Sequence, residues 1–403
     1  MEKKKILIVT CGNLPSKNEG SSTILIFYYI NFFLKCNYQV FLLSFQEKNN
    51  RQIIGKGSFL KQFSKKKNLT FCKITLDKLY TLNKYNFFFQ NISTFDFSSK
   101  IKEKILKFNP DMVFALDIAA SSFVNKLLLP TKKLYVWLGD LNFSTIYYHY
   151  YYDLKYSYKN FFLFPIIFCL IYKWKIFYKK NLNRFKILSG SYTNLSHLRK
   201  ININSSYLPY PWPIQFSYKK LKKFSKPSFI FFGNLKGLGS KSAIDYLLNK
   251  IYPSYLKIWG EGGFTIYICG IFDFPENILN KLQKLKNIKY LGFKKNINKI
   301  ALKCHACLFP IDVPLGNRSR IVTALANRWP IIAHNNVSLG NPALQSGFNC
   351  LLAENIEKFI FFSKKIFKND DLSKKIVKNG YETYNKNFKL TSALKAFKKF
   401  INE

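Results

Sequence analysis

Arg318 and Arg320 lie in the stretch Phe309 to Ala333, FPIDVPLGNRSRIVTALANRWPIIA, and their placement carries the clearest chemical signal in the 403-residue chain. The apolar runs Leu308 to Ile311 and Ile331 to Ala333 are bounded by turn residues, the pattern of buried parallel strands. Between them Gly316 and Asn317 loosen the backbone, and Asn317 or Ser319 is placed to cap a short helix that Pro330 ends. Ile321, Val322, Ala324 and Leu325 give that helix its apolar face. Both arginines fall in its first turn, where the positive end of the helix dipole disfavours cations. Arginines set against the dipole on a loop after a strand predict an anion between them. A diphosphate fits, because backbone N–H groups, the helix N-terminus and forked guanidinium donors converge on it. Two solvated arginines in a very basic protein are the competing reading.

A second candidate is Asp140, which closes the run Trp137-Leu138-Gly139-Asp140. A carboxylate just past a strand end in a parallel sheet faces the ligand-binding edge, so Asp140 is a candidate general base or ligand for an acceptor hydroxyl. Capping of the next helix is the alternative. Near the N-terminus the strand Ile6 to Thr10 runs into a loop of turn formers and a helix from about Thr23 to Leu34. That loop lacks G-x-G-x-x-G, but Gly20, Ser21 and Ser22 would admit a phosphate or sugar closely, or simply cap the helix. The eight cysteines are scattered through mostly apolar runs, as in a reducing compartment. Cys304 and Cys307 flank His305 without a second ligand pair, and there is no D-x-D pair, so no metal or other cofactor is expected.

The elements that position these residues alternate. Strands are expected at Gln39 to Ser44, Met112 to Ala115, Lys133 to Leu138 and Lys186 to Ser189, with helices at Lys100 to Phe108, Ala119 to Leu128 and Ser191 to Leu198. Residues 51–99 give no clear assignment. Pro209, Pro211 and Pro213 and a lysine-rich polar stretch mark a linker. Beyond it come strands at Phe229 to Phe232, Phe264 to Cys269, Ile288 to Leu291 and Cys307 to Ile311, several ending at glycine, and the chain finishes with helices at Ile356 to Phe367 and Leu372 to Phe400. The alternation predicts an α/β protein with two doubly wound, Rossmann-like domains. The N-terminal domain spans 1–212, a linker 213–226, and the C-terminal domain 227–403.

Lys and Arg outnumber Asp and Glu 64 to 21, a net charge of +43. Much of this fits the compositional drift that also enriches Asn, Ile, Phe and Tyr. The field still attracts polyanions, and with no nucleic-acid module in view an anionic membrane surface is the better partner than nucleic acid. Segment 146–180 supports this: a tyrosine cluster, the uncharged run Phe161 to Tyr172, then lysines, as in an interfacial helix. The uncharged run is 12 residues, short of the roughly 20 a span requires. The apolar run after the N-terminal lysines is too short for a signal peptide, so a cytoplasmic protein held peripherally at the inner face of the cytoplasmic membrane is expected.

The second half resembles the donor-binding half of GT-B glycosyltransferases, in particular the broad retaining, nucleotide-sugar-dependent group (glycosyl transferases group 1, family 4-like). The resemblance rests on FFGNL (231–235), YICG (267–270), YLGF (290–293), LFP (308–310), GNRSRIVTALANRWPIIA (316–333) and LGNPALQSGFNCLLAEN (339–355), in order across roughly 227–400. It implies two domains facing across a cleft. It implies donor contacts for Gly233, Asn234, Gly270, Phe293, Asn317, Arg318, Ser319 and Arg320, with Lys236 or Lys241 replacing a basic residue usually found nearer Gly233. Thr323 occupies the place where the group usually carries a glutamate that holds the donor ribose. The implied activity is hexosyl transfer from a nucleotide diphosphate donor to a glycan or lipid-linked acceptor in cell-surface polysaccharide synthesis, with Arg318, Arg320 and Asp140 as the catalytic set. The alternatives are a catalytically degenerate glycan-binding protein of the same fold and, on charge alone, a nucleic-acid-binding protein.

Overall fold

The computed structural model describes residues 3–12, 14–17, 21–48, 63, 67–81, 91–96, 98–155, 157–217, 221–233, 237–270, 276–294, 296–316 and 318–403. The chain forms two compact units, Met1–Pro211 together with Leu394–Glu403, and Trp212–Ala393.

In the first unit the strands are β1 (Lys5–Cys11), β2 (Gln39–Glu47), β3 (Leu69–Leu76), β4 (Tyr80–Thr81), β5 (Ser93–Thr94), β6 (Met112–Leu116), β7 (Leu134–Leu138), β8 (Lys186–Ser189) and β9 (Ser206–Tyr207). Among the described residues, seven of them form a parallel sheet in the order β3-β2-β1-β6-β7-β8-β9, while β4 and β5 pair antiparallel. The order reverses between β1 and β6. Both are continuous apolar runs with no exposed position, because helices cover both faces of such a sheet. β3 falls in the stretch that sequence pattern left unassigned. It is an edge strand, LTFCKITL, in which no residue is fully buried, so it lacks the apolar run of its neighbours.

The second unit contains β10 (Ser228–Phe232), β11 (Thr265–Cys269), β12 (Ile288–Tyr290), β13 (Ala306–Phe309), β14 (Ile331–His334) and β15 (Leu351–Ala353). These build a parallel sheet in the order β12-β11-β10-β13-β14-β15, reversing between β10 and β13. In doubly wound sheets ligands gather outside the carboxyl ends of the strands at that reversal.

Two boundaries depart from the sequence expectation. Of the stretch expected to be a linker, the described residues 213–217 and 221–226 belong to the second unit. Phe216 N–H donates to Asn327 Oδ1 at 3.0 Å, the Phe216 ring stacks on Trp329 at 5.8 Å, and Phe224 N–H donates to Lys303 O at 3.0 Å. The last stretch is two helices, Asp370–Asn387 and Leu390–Asn402, broken at Phe388 and Lys389. From Leu394 onward the chain belongs to the first unit, not the second. There Phe397 is fully buried and meets the rings of Tyr29, Phe32, Phe33 and Phe114, with centroids 4.7–5.8 Å apart. Tyr135 Oη donates to Ile401 O at 2.8 Å nearby. Phe397→Ala is expected to destabilise the first unit by about 3–5 kcal/mol, read as a lowered denaturant midpoint.

Candidate functional site

The second unit's sheet brings three glycines together at its carboxyl edge. Gly233 follows β10 with φ +137, and its N–H donates to Cys269 O at 3.0 Å; Gly270 N–H donates to Gly292 O at 2.9 Å. Across the reversal, β13 leads to Gly316, whose φ of +71 turns the chain toward the helix Ser319–Ala326. Arg318 itself is the cap residue, with φ −72 and ψ 99, and no side chain caps the first turn. Ser319 is therefore the first helical residue and not its cap, and Asn317, the other expected cap, lies outside the described residues.

The two guanidinium groups are fitted against glycine backbone. Arg318 lies against Gly239, where a Cβ would stand 2.7 Å from Nη1, and its Nη2 donates to Val313 O at 3.4 Å. Arg320 lies over Gly233, where a Cβ would stand 3.0 Å from Cζ. Its Nη2 donates to Ser240 Oγ at 2.7 Å, and its Cζ sits 5.5 Å from the centre of the Phe231 ring. Gly239 and Ser240 open the helix Leu238–Tyr246, whose cap residue Gly237 also offers no side-chain cap. Two helix N-termini and two guanidinium groups thus share one neighbourhood. Burial and then the charge of Arg318 push Arg320 down to about 9. Both causes disfavour a second cation here, and an anion relieves both.

Other expected donor residues are distributed around this pair. Lys241 is exposed in the first turn of Leu238–Tyr246, and Phe293 is exposed immediately after Gly292. Thr323 is different. It is buried, its Oγ1 accepts from Trp212 Nε1 at 3.0 Å and donates to Ser319 O at 3.0 Å, so the hydroxyl is committed inside the unit. Gly20 and Asn234 lie outside the described residues, and Ser21 opens the helix Ser21–Lys35.

In the first unit Asp140 is exposed, two residues beyond β7. The reversal of that sheet carries an acid that the sequence reading passed over. Asp117 directly follows β6 with φ +90 and ψ 163, a conformation rare outside glycine, and accepts from Ile118 N at 2.6 Å. Burial raises its carboxyl pKa, the Ile118 N–H opposes that, and Asp140 raises it further. A half-buried, electrostatically frustrated acid in a strained backbone at a switch point is a stronger functional candidate than an exposed one. The signal was present: Ala115-Leu116-Asp117 ends a strand in an acid just as Leu138-Gly139-Asp140 does. The C-x-x-C lies in the core of the second unit. Cys304 and Cys307 are buried with thiols raised by burial, and His305 is pushed down to about 4 while its Nδ1 accepts from Ser228 N at 3.2 Å.

No family model matches the chain, and no curated protein sequence matches it significantly. Solved structures do. Anabaena Alr3699/HepE in complex with UDP superposes with a TM-score of 0.62 at 12% identity, covering 99% of each chain. A variant of S. aureus TarM in complex with Fondaparinux, alpha-GlcNAc-glycerol and UDP gives 0.66 at 12% identity, covering 99% of this chain and 100% of that one. The lipopolysaccharide outer core galactosyltransferase WaaB gives 0.62 at 14% identity over 98% and 99%. The chain has the GT-B fold. Within that fold the arginine pair belongs to the second Rossmann-like unit and the two acids to the first.

Two substitutions probe the geometry. Gly239→Ala puts a methyl where the Arg318 guanidinium lies and is expected to weaken nucleoside diphosphate binding, measured by calorimetry, with little change in the melting temperature. Asp117→Asn is expected to stabilise the protein at neutral pH, because the folded state holds that carboxyl pKa above its unfolded value. A raised carboxyl contributes stability when protonated and loses it as pH rises through the folded pKa. The gain of the variant should therefore shrink as pH falls toward the unfolded carboxylate range, checked by thermal melts across pH.

Proposed function

We propose that the protein is a glycosyltransferase that moves a sugar from a nucleotide diphosphate donor onto a glycan or lipid-linked glycan acceptor. The observation that carries the reading is the arginine pair fitted against Gly233 and Gly239 at two uncapped helix N-termini. Such a site suits a diphosphate, whose negative charge grows as the glycosidic bond to the sugar breaks. Arg318 and Arg320 neutralise the departing diphosphate, so the reaction as proposed needs no divalent metal or cofactor. The strand-end glycines let the nucleotide approach the backbone. Asp140, or the more buried Asp117, orients the acceptor hydroxyl and takes its proton. Solved structures of the same fold bind UDP, which supports a uridine nucleotide as the first donor to test. The acceptor belongs to cell-surface polysaccharide synthesis, reached from the cytoplasm.

A second reading is favoured by Thr323. Its hydroxyl is occupied by Trp212 and Ser319, leaving no carboxylate there for a ribose, as a glycan-binding protein without turnover would tolerate. Incubation with a panel of UDP-, GDP- and ADP-sugars separates the two, because only the transferase releases nucleoside diphosphate. Arg318→Ala combined with Arg320→Ala is expected to lower kcat/KM by on the order of 10²–10³ and to abolish the rise in melting temperature caused by UDP. Full activity in that double variant would refute the assignment.

A further inference from the structure

The carboxyl edge of the second sheet continues past the arginine pair. Beyond β13, Asp312 directly precedes Val313, whose carbonyl accepts from Arg318 Nη2 at 3.4 Å. β14 ends in His334. Asn336 ties the two strand ends together. Its Nδ2 donates to Asp312 O, and its backbone N–H donates to His334 Nδ1 at 3.2 Å. An imidazole that accepts at Nδ1 carries its proton on Nε2 when neutral. Burial lowers the pKa of His334 although the nearby Asp312 charge opposes it, so the ring is neutral near neutral pH. The Tyr246 ring packs edge to face against this imidazole, with centroids 5.8 Å apart. Tyr246 closes the helix Leu238–Tyr246, whose first turn meets both guanidinium groups, and a π-helical turn, Leu247–Ile251, follows it directly. Single π turns concentrate at functional sites. Asp312, His334 and Tyr246 are all half-buried, so each keeps part of its surface at the edge.

We infer that Asp312 and His334 read the sugar of the donor, and that they select a neutral sugar against a uronic acid. The inference rests on the reading of the arginine pair as a diphosphate site. Sheet order sets the direction. On one side of the reversal, β10, β11 and β12 lead to Gly233, Gly270 and Gly292, where open backbone suits the nucleoside. β13 and β14 end on the other side, so the group joined to the far phosphate runs over Asp312 and His334. A carboxylate beside a site built for an anion is out of place unless the next part of the ligand is uncharged and rich in hydroxyl groups. Asp312 accepts from sugar hydroxyls, and the Nε2–H of His334 donates to a sugar oxygen. The same carboxylate opposes a second carboxylate on the ligand, because like charges brought together in a half-buried site cost affinity for the wrong partner.

The test is calorimetric binding of UDP, UDP-glucose and UDP-glucuronate to the full-length protein and to two variants. The wild type should prefer UDP-glucose to UDP-glucuronate by roughly tenfold or more. Asp312→Asn, nearly the same shape, should cut that ratio about tenfold, and the ratio is insensitive to any change in diphosphate affinity that both ligands share. His334→Ala should weaken UDP-glucose about fivefold, the loss of one neutral hydrogen bond, and leave UDP unchanged. A wild type that binds none of the three would sink the diphosphate reading itself. Where UDP binds, three results overturn the sugar subsite alone. They are a wild-type preference for UDP-glucuronate, an identical ratio in wild type and Asp312→Asn, and equal weakening of UDP and UDP-glucose by His334→Ala.

Discussion

Like charges repel, yet the guanidinium groups of Arg318 and Arg320 are held on consecutive residues of one helix start, Gly239 and Ser240. What permits this is the absence of side chains beneath them. A Cβ at Gly239 or Gly233 would occupy the space the guanidinium groups fill. The positive ends of two helix dipoles add to the same field, so the site is strongly biased toward an anion before any ligand arrives. The sheet order supplies the rest, since the reversal between β10 and β13 sets the Gly233 turn opposite the loop that carries both arginines. Preorganised positive charge of this kind stabilises a developing anion without reorganisation at the moment of reaction.

The first unit holds the complementary feature. Its own sheet reversal sets Asp117 in a left-handed backbone conformation, with burial and Asp140 both working against its ionisation. Strain and frustrated charge concentrate at sites whose purpose is binding or chemistry and are otherwise selected against. The protein therefore places cations at one sheet reversal and acids at the other, each where its own fold leaves strand ends open.

Much of this was legible in the sequence because parallel strands buried on both faces are short apolar runs. SFIFF and TIYIC declare themselves, and the arginines announce a conflict with the helix dipole. Three things were not legible, each for a physical reason. β3 is an edge strand, so its exposed polar positions erase the apolar run. Thr323 looks available for a ligand until Trp212, 111 residues earlier, is seen to take its hydroxyl. Asp117 resembles a turn residue until the topology puts it at the reversal, and strand order is set by long-range pairing that local pattern does not encode. The segment 146–180 was readable as aromatic and basic. Its helix Phe164–Leu182 divides into an exposed first half and a core second half, and that division depends on packing against Tyr80 and Phe143.

The route of the C-terminus has a practical consequence. Because Phe397 closes an aromatic cluster with Tyr29, Phe33 and Phe114, the first unit is completed by residues nearly two hundred positions beyond the rest of it in sequence. A fragment ending near Pro211 would leave that cluster open to solvent, and a ribosome must synthesise the second unit and the helix carrying Phe397 before the first unit can reach its final packing. Dissection of this protein into separately expressed halves should therefore keep Leu394–Glu403 with the N-terminal piece, through a fusion or a co-expressed peptide.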